Sequence, residues 1–171
     1  YLDEIADKIR SVERMDVIIG IGGGSTLDIA KAVAVLWTNP GKGIKYRGFD
    51  RVKKPGVPTI IIPTTAGTSS EVTINAVFTD KKEMKKMGIN GKHMNATFAI
   101  LDAEWTLSCP KFVAVSAGMD AMVHTLESFI NKKANHVTRM FSREAFRIMY
   151  KNLPILVEDP ENQEKRQNLL L

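Results

Sequence analysis

Val17-Ile18-Ile19-Gly20-Ile21 runs straight into Gly22-Gly23-Gly24 and then into Ser25-Thr26-Leu27-Asp28-Ile29-Ala30-Lys31, an order that leaves few options for the chain around it. The β-branched run predicts a short, fully buried strand. The three glycines predict a turn, and Ser25 predicts a helix N-cap with Asp28 as a capping-box-like partner. A strand, a glycine turn and a helix N-terminus in that order make an anion site. Glycines let the backbone approach a ligand closely, and the free N–H groups at the positive helix end favour phosphate. The alternative is a tight βα turn that holds no ligand. The stretch is not the Gly-x-Gly-x-x-Gly fingerprint, because Ser25 stands at its last position. The Gly-Lys-Ser/Thr of a P-loop is missing as well.

Composition bounds the rest. With 171 residues, 44% apolar and 25% charged, the chain has ordinary globular composition, enough for one domain or one and a half. A net charge of +5 invites a nucleic-acid reading. The lysines are scattered, however, apart from Lys81-Lys82-Glu83-Met84-Lys85-Lys86 and Lys132-Lys133, and no aromatic residues interleave with them as stacking platforms. No nucleic-acid partner is expected. The single cysteine, Cys109, excludes an internal disulfide and fits a reducing, cytoplasmic compartment. No run reaches the roughly 18 apolar residues of a membrane span, and the charged opening Tyr1-Leu2-Asp3-Glu4 is no signal peptide. No membrane association is expected.

Leu2, Ile5, Ile9 and Val12 recur at helical spacing and predict an amphipathic helix over residues 2–14. The strand at 16–21 precedes a helix over 25–37 that is apolar nearly all round, with only Asp28 and Lys31 polar on one side, as suits a crossover helix packed on a sheet. Asn39-Pro40-Gly41 stops that helix, and residues 41–58 read as a surface loop. A second buried strand, Thr59-Ile60-Ile61-Ile62, runs into Pro63 and the hydroxyl-rich turn Thr64-Thr65-Ala66-Gly67-Thr68-Ser69-Ser70-Glu71. A shorter strand at 76–79, a lysine-rich turn and a strand at 97–101 follow. Two buried strands that end in such turns belong to one parallel sheet, whose ligands sit at the carboxyl ends of the strands. The glycine and threonine turns should therefore open on the same edge.

Beyond Cys109-Pro110 only helical periodicity remains, with Val137, Met140, Phe141, Ala145 and Ile148 sharing a face. The fold class is thus α/β: a part with a parallel sheet over residues 1–109, followed by a helical part over 110–171. Laid on a helix, Met119, Met122, Val123, Leu126 and Ile130 form one face, and Ala121, Thr125 and Ser128 a face of small residues suited to close packing. Between them runs a polar stripe of Asp120, His124, Glu127 and Asn131. Asp120 and His124 are four apart, so both reach one point above the helix. A carboxylate oxygen and an imidazole nitrogen offered together suit Zn²⁺ or Fe²⁺, and a solvated stripe with a local Asp–His pair is the alternative.

Gly22-Gly23-Gly24-Ser25-x-x-Asp28-x-Ala30-Lys31, Pro63-Thr64-Thr65-Ala66-Gly67-Thr68-x-Ser70-Glu71-Val72-Thr73 and Gly118-Met119-Asp120-Ala121-x-x-His124-x-x-Glu127 occur here in order. Together they resemble the three sequence blocks of the iron-containing (group III) alcohol dehydrogenases. The resemblance implies metal-dependent, NAD(P)-linked hydride transfer between a small alcohol or aldehyde and nicotinamide. It also implies an incomplete Rossmann-like, dinucleotide-binding α/β domain over residues 1–109, the start of an all-α helical metal-binding domain over 110–171, and a homodimer in the intact enzyme. Gly23, Gly24 and Ser25 would hold the pyrophosphate of NAD or NADP. Thr64, Thr65 and Thr68 would line the nicotinamide half, and Lys86 would reach toward ribose and phosphate. Asp120 and His124 would be two of four ligands to Fe²⁺ or Zn²⁺ and would act in catalysis through it.

Ser69 stands where the family commonly has glycine. Family members run to roughly double this length and draw two further metal histidines from beyond the stretch matched here. His93 and His136 match no family ligand position, so the chain resembles an internal fragment, inactive by itself. Two other readings share the architecture or the extent. One is a dehydroquinate synthase-like lyase with NAD and metal, against which the threonine block argues. The other is a non-enzymatic truncated or split-gene product.

Overall fold

The computed structural model describes residues 1–80 and 83–171; Lys81 and Lys82, at the head of the expected lysine-rich turn, lie outside the described residues. The chain divides into two compact units, residues 1–63 with 69–100, and residues 64–68 with 101–171.

The first unit opens with α1 (Leu2–Arg10), shorter than the expected helix over 2–14. Val12 is exposed, so no buried contact supports a further turn. β1 (Ile18–Gly22) is followed by α2 (Gly24–Thr38). The loop expected over 41–58 contains a 3-10 turn and the two-residue strand β2 (Gly48–Phe49) before β3 (Thr59–Pro63). β1 and β3 are parallel neighbours in register from Ile18 opposite Thr59 to Gly22 opposite Pro63. A parallel pair needs a crossover connection, and α2 supplies it. β6 (Phe98–Ala99) lies parallel on the far side of β3, giving the order β1-β3-β6.

A second sheet was not foreseen. β4 (Asn75–Asp80) pairs antiparallel with β5 (Lys85–Asn90), and β2 adds in parallel to β5, in the order β2-β5-β4. Residues 85–86, expected in a lysine-rich turn, therefore begin a strand. Met87 and Ile89 are its buried alternate positions, and the lysines ahead of them masked the period-two signal.

α2 is apolar all round because it is covered on two sides. Leu27 and Ala30 pack on Ile61 of the parallel sheet. Ala32, Val35 and Leu36 pack in a second cluster with Ala6, Ala76 and Ile89, which joins α1 and the mixed sheet. The expectation of a fully buried β1 is corrected. Gly20 faces α2, where a Cβ would come within 2.7 Å of Ala30 Cβ, whereas Ile19 and Ile21 are exposed on the other face, which no element among the described residues of this unit covers.

The second unit holds α3 (Lys111–Ile130), α4 (His136–Glu158) and α5 (Gln163–Leu170). Asn135 and Asn162 cap α4 and α5, accepting from Thr138 N at 2.9 Å and Lys165 N at 3.1 Å. The core is Ala114, Leu153, Leu156 and Leu169. Buried Arg166 donates to the carbonyls of Thr106 at 2.5 Å and Pro160 at 2.6 Å, tying α5 to the segment ahead of α3.

The small-residue face of α3, expected to suit close packing, is the one that packs. In α3 the buried residues are Ala114, Gly118, Ala121 and Thr125, while Met119, Val123, Leu126 and Ile130 are exposed. In α4 Ser142, Asn152, Leu153 and Leu156 are buried, while Val137, Met140 and Phe141 are exposed. Small residues let the helices approach closely: a Cβ on Gly118 would lie 2.6 Å from Leu153 Cδ1, and the Ser128 and Ser142 hydroxyls are 2.6 Å apart. No helix among the described residues is long and apolar enough to cross a membrane.

Candidate functional site

Two local arrangements carry chemistry, one in each unit. In the first, β1 and β3 end opposite each other at Gly22 and Pro63, so both strands release the chain at the same, carboxyl edge of the sheet. Ligands of open α/β sheets bind at this edge. The N-cap of α2 is Gly23, with extended backbone (φ −75°, ψ 173°), and no side chain caps the helix. The expected capping by Ser25 and Asp28 is corrected. Ser25 is exposed within the first helical turn, and Asp28 turns away to other partners. Its Oδ1 accepts from Ser70 Oγ at 2.5 Å and its Oδ2 from Val77 N at 2.8 Å.

An uncapped N-terminus of a 15-residue helix presents free amide donors and about half a positive charge. Gly22 holds φ 153°, and a Cβ there would lie 2.8 Å from Thr26 Cβ, so the backbone keeps its open path past the helix start only with glycine. The donor set fits a phosphate group of a dinucleotide. Lys86 lies exposed on β5 of the mixed sheet, and Ser69 adopts the left-handed region at φ 51°, ψ 27°, the conformation that glycine takes most easily.

The threonine turn 64–68 packs within the second unit. Gly67 approaches α3 so closely that a Cβ would sit 2.2 Å from the Ala117 carbonyl oxygen, and Ala66 packs against the core of Ala114, Leu153, Leu156 and Leu169. Thr64 and Thr65 are half-buried and Thr68 is exposed. On α3, Asp120 Oδ1 and His124 Nε2 stand 3.7 Å apart with both side chains about half exposed. Two donors each about 2.1 Å from a tetrahedral ion lie roughly 3.4 Å apart, so the pair fits one edge of a coordination sphere after a small rotation. Glu127 and Asn131, the rest of the stripe, are exposed. Among the described residues no group of three His, Cys, Asp or Glu side chains is placed to hold a metal. His93 sits in a 3-10 turn of the first unit and His136 is exposed at the start of α4.

Besides Arg166 of the second unit, sequence reasoning missed two buried ionisable groups in the first. Lys31 is 1% exposed, and burial pulls its amine below the usual lysine range, with Asp28 opposing. Glu71 is 8% exposed, and burial raises its carboxyl above the usual range. A lone lysine in an otherwise apolar helix was the available signal. Burial also pushes the Cys109 thiol up, against the opposing effect of Arg166.

Comparison with known proteins bears on both arrangements. Residues 1–103 match the model of iron-containing alcohol dehydrogenase, and residues 114–171 match that of the Fe-containing alcohol dehydrogenase family, C-terminal. The chain is 40% identical over 155 residues to sulfoacetaldehyde reductase of Bilophila wadsworthia, spanning 91% of this chain and 40% of the relative. It is 38% identical over 155 residues to the NAD-dependent methanol dehydrogenase of Bacillus methanolicus, again over 91% of this chain and 41% of the relative. Its structure superposes on sulfoacetaldehyde reductase from Bifidobacterium kashiwanohense in complex with NAD+ with a TM-score of 0.89 and 33% identity, covering 99% of this chain and 45% of the other. The chain thus spans about 40% of the length of the curated relatives it matches.

Proposed function

This chain belongs to the iron-containing alcohol dehydrogenase family, and from that premise we propose that it carries the dinucleotide cradle and two metal ligands of an enzyme moving hydride between a small alcohol or aldehyde and nicotinamide. The observation that carries the reading is the uncapped N-terminus of α2 at the carboxyl edge of a parallel sheet. Backbone amides of Gly23, Gly24 and Ser25 bind the pyrophosphate of NAD or NADP there. Thr64, Thr65 and Thr68 line the nicotinamide half, and Lys86 reaches toward ribose and phosphate. Asp120 and His124 hold Fe²⁺ or Zn²⁺ from one side, the carboxylate as an anionic oxygen and the neutral imidazole as a nitrogen donor.

The metal, when bound, supplies Lewis acidity that stabilises negative charge on the substrate oxygen. Hydride chemistry at the nicotinamide belongs to the cofactor, and the protein's task is to hold the ring in register with the substrate. Cys109 is no nucleophile in this scheme, because its raised pKa keeps the thiol protonated near neutrality. The reading places the intact protein in the cytoplasm as a homodimer.

The test uses metal content by elemental analysis beside dinucleotide titration. In the family's full length, Asp120→Ala or His124→Ala should abolish metal retention and turnover while leaving the dinucleotide Kd unchanged within about twofold. Gly23→Val should weaken dinucleotide binding and turnover while leaving the metal content unchanged. The 171-residue chain, with two ligands on one helix face, should bind metal weakly and show no alcohol-dependent NAD(P) reduction. A His124→Ala enzyme that kept its metal and activity would refute the assignment of α3.

A further inference from the structure

The threonine turn is seated by a contact that leaves no room for a side chain. A Cβ on Gly67 would clash with the carbonyl oxygen of Ala117 in α3 and lie 2.6 Å from its carbonyl carbon and 3.0 Å from its Cα. All three are helix backbone atoms, which cannot swing aside as the tip of a flexible side chain can. Beside Gly67, Ala66 packs against the core of Ala114, Leu153, Leu156 and Leu169. The turn and α3 belong to the same compact unit. The hydroxyls of Thr64, Thr65 and Thr68 make no hydrogen bond to protein among the described residues, which leaves them open to a ligand.

The contact at Ala117 fixes where on the helix the turn rests. At about 100° per residue, Asp120 stands about 60° round the helix from Ala117 and His124 about 20°, both on the same side. They follow it by about 4.5 Å and about 10.5 Å along the axis. These are the two half-exposed side chains whose oxygen and nitrogen stand 3.7 Å apart. The turn therefore lies against the face of α3 that carries the pair. We propose that Gly67 is a positioning residue: lacking a side chain, it lets the threonine turn rest on α3 and so sets a nicotinamide bound at the turn beside the metal that Asp120 and His124 hold. The inference rests on the proposed roles of the turn and of the pair. Gly67 itself touches neither ligand and acts through the backbone it lets in. An alanine there must lift the turn from the helix while leaving both metal ligands in place on α3.

Nuclear magnetic resonance on the chain tests this with two probes. Mn²⁺ is paramagnetic and binds such oxygen and nitrogen sites more weakly than Fe²⁺ or Zn²⁺, so it exchanges and broadens the amides near the pair. Nicotinamide mononucleotide carries the ring without the adenosine half and is titrated by the shifts of residues 64–68. In the wild type Mn²⁺ should broaden residues 64–68 together with 117–124, and both effects should vanish in Asp120→Ala. In Gly67→Ala the broadening of 117–124 should persist and that of 64–68 should drop several-fold. The Kd for nicotinamide mononucleotide should rise about tenfold in the same variant. A role confined to stability would loosen the fold without separating the two sets of amides. Ala66→Gly, which withdraws one methyl from the same seat, should give this pattern in smaller measure and serves if Gly67→Ala does not fold. Broadening of 117–124 alone in the wild type, or an unchanged pattern or Kd in Gly67→Ala, overturns the proposal. If in the wild type the mononucleotide shifts no amide of the turn, or Mn²⁺ broadens none of α3, the reading of the turn or of the pair fails and the inference with it, which is a separate and recognisable result.

Discussion

Lys31 and Glu71 are buried charges in a unit whose core is otherwise aliphatic, and at the residue scale they govern how stability responds to pH. Glu71 keeps its proton to higher pH in the folded state than in the unfolded chain. Between its ordinary value and the raised one the unfolded state binds fewer protons, so its contribution to stability falls as pH climbs through that window. Glu71→Gln removes the decline. The Tm of Glu71→Gln relative to wild type should therefore increase from pH 4 to pH 7, as read from paired thermal melts; a constant difference would show that Glu71 does not titrate abnormally. Lys31 acts with the other sign. Its lowered value makes stability rise as pH climbs toward the ordinary lysine value, so wild-type melts on the alkaline side should not show the loss expected of a favourable ion pair.

At the scale of elements, α3 buries the stripe of small residues that its sequence offered for close packing. The sequence places Met119, Met122, Val123, Leu126 and Ile130 on one stripe and Ala121, Thr125 and Ser128 on another. The helix buries the second stripe, because α3 and α4 meet where side chains are small enough for close approach. Ala121→Leu, at a position 5% exposed, should overpack this interface and cost about 1–3 kcal/mol. Leu126→Ala, at 48% exposed, should change stability by no more than about 0.5 kcal/mol. Chemical denaturation of the two variants checks both; a larger loss at Leu126 would mean that the exposed stripe is covered in solution. α2 is the opposite case, since its apolar surface all round matched the two-sided burial it receives.

For the molecule as a whole, several apolar surfaces are exposed together. β1 is the outer strand of its sheet, with Ile19 and Ile21 exposed, and Phe98 of β6 is 64% exposed. Exposed strand edges and large apolar patches promote association. The 171-residue chain should self-associate with rising concentration in sedimentation velocity, and Ile19→Lys together with Leu126→Lys should shift it toward monomer. A wild-type chain that sediments as a monomer throughout would contradict this.

The strand–glycine–helix order at residues 18–38 was legible without coordinates, because local propensity, glycine content and two-sided burial all pointed to one answer there. The parallel pairing of β1 and β3 was legible for the same reason, as was the Asp120–His124 spacing, which the helix period alone dictates. Tertiary structure decided the rest. Residues 85–90 form a strand because Gly48–Phe49 and Asn75–Asp80 offer it partners, which no lysine count can show. Asp28 left the helix cap for Ser70 and Val77, and Lys31 for three carbonyls, because segments more than 38 residues away come to lie against α2. Periodicity records which residues share a face; only the packed chain decides which face is covered, and what a buried charge finds there.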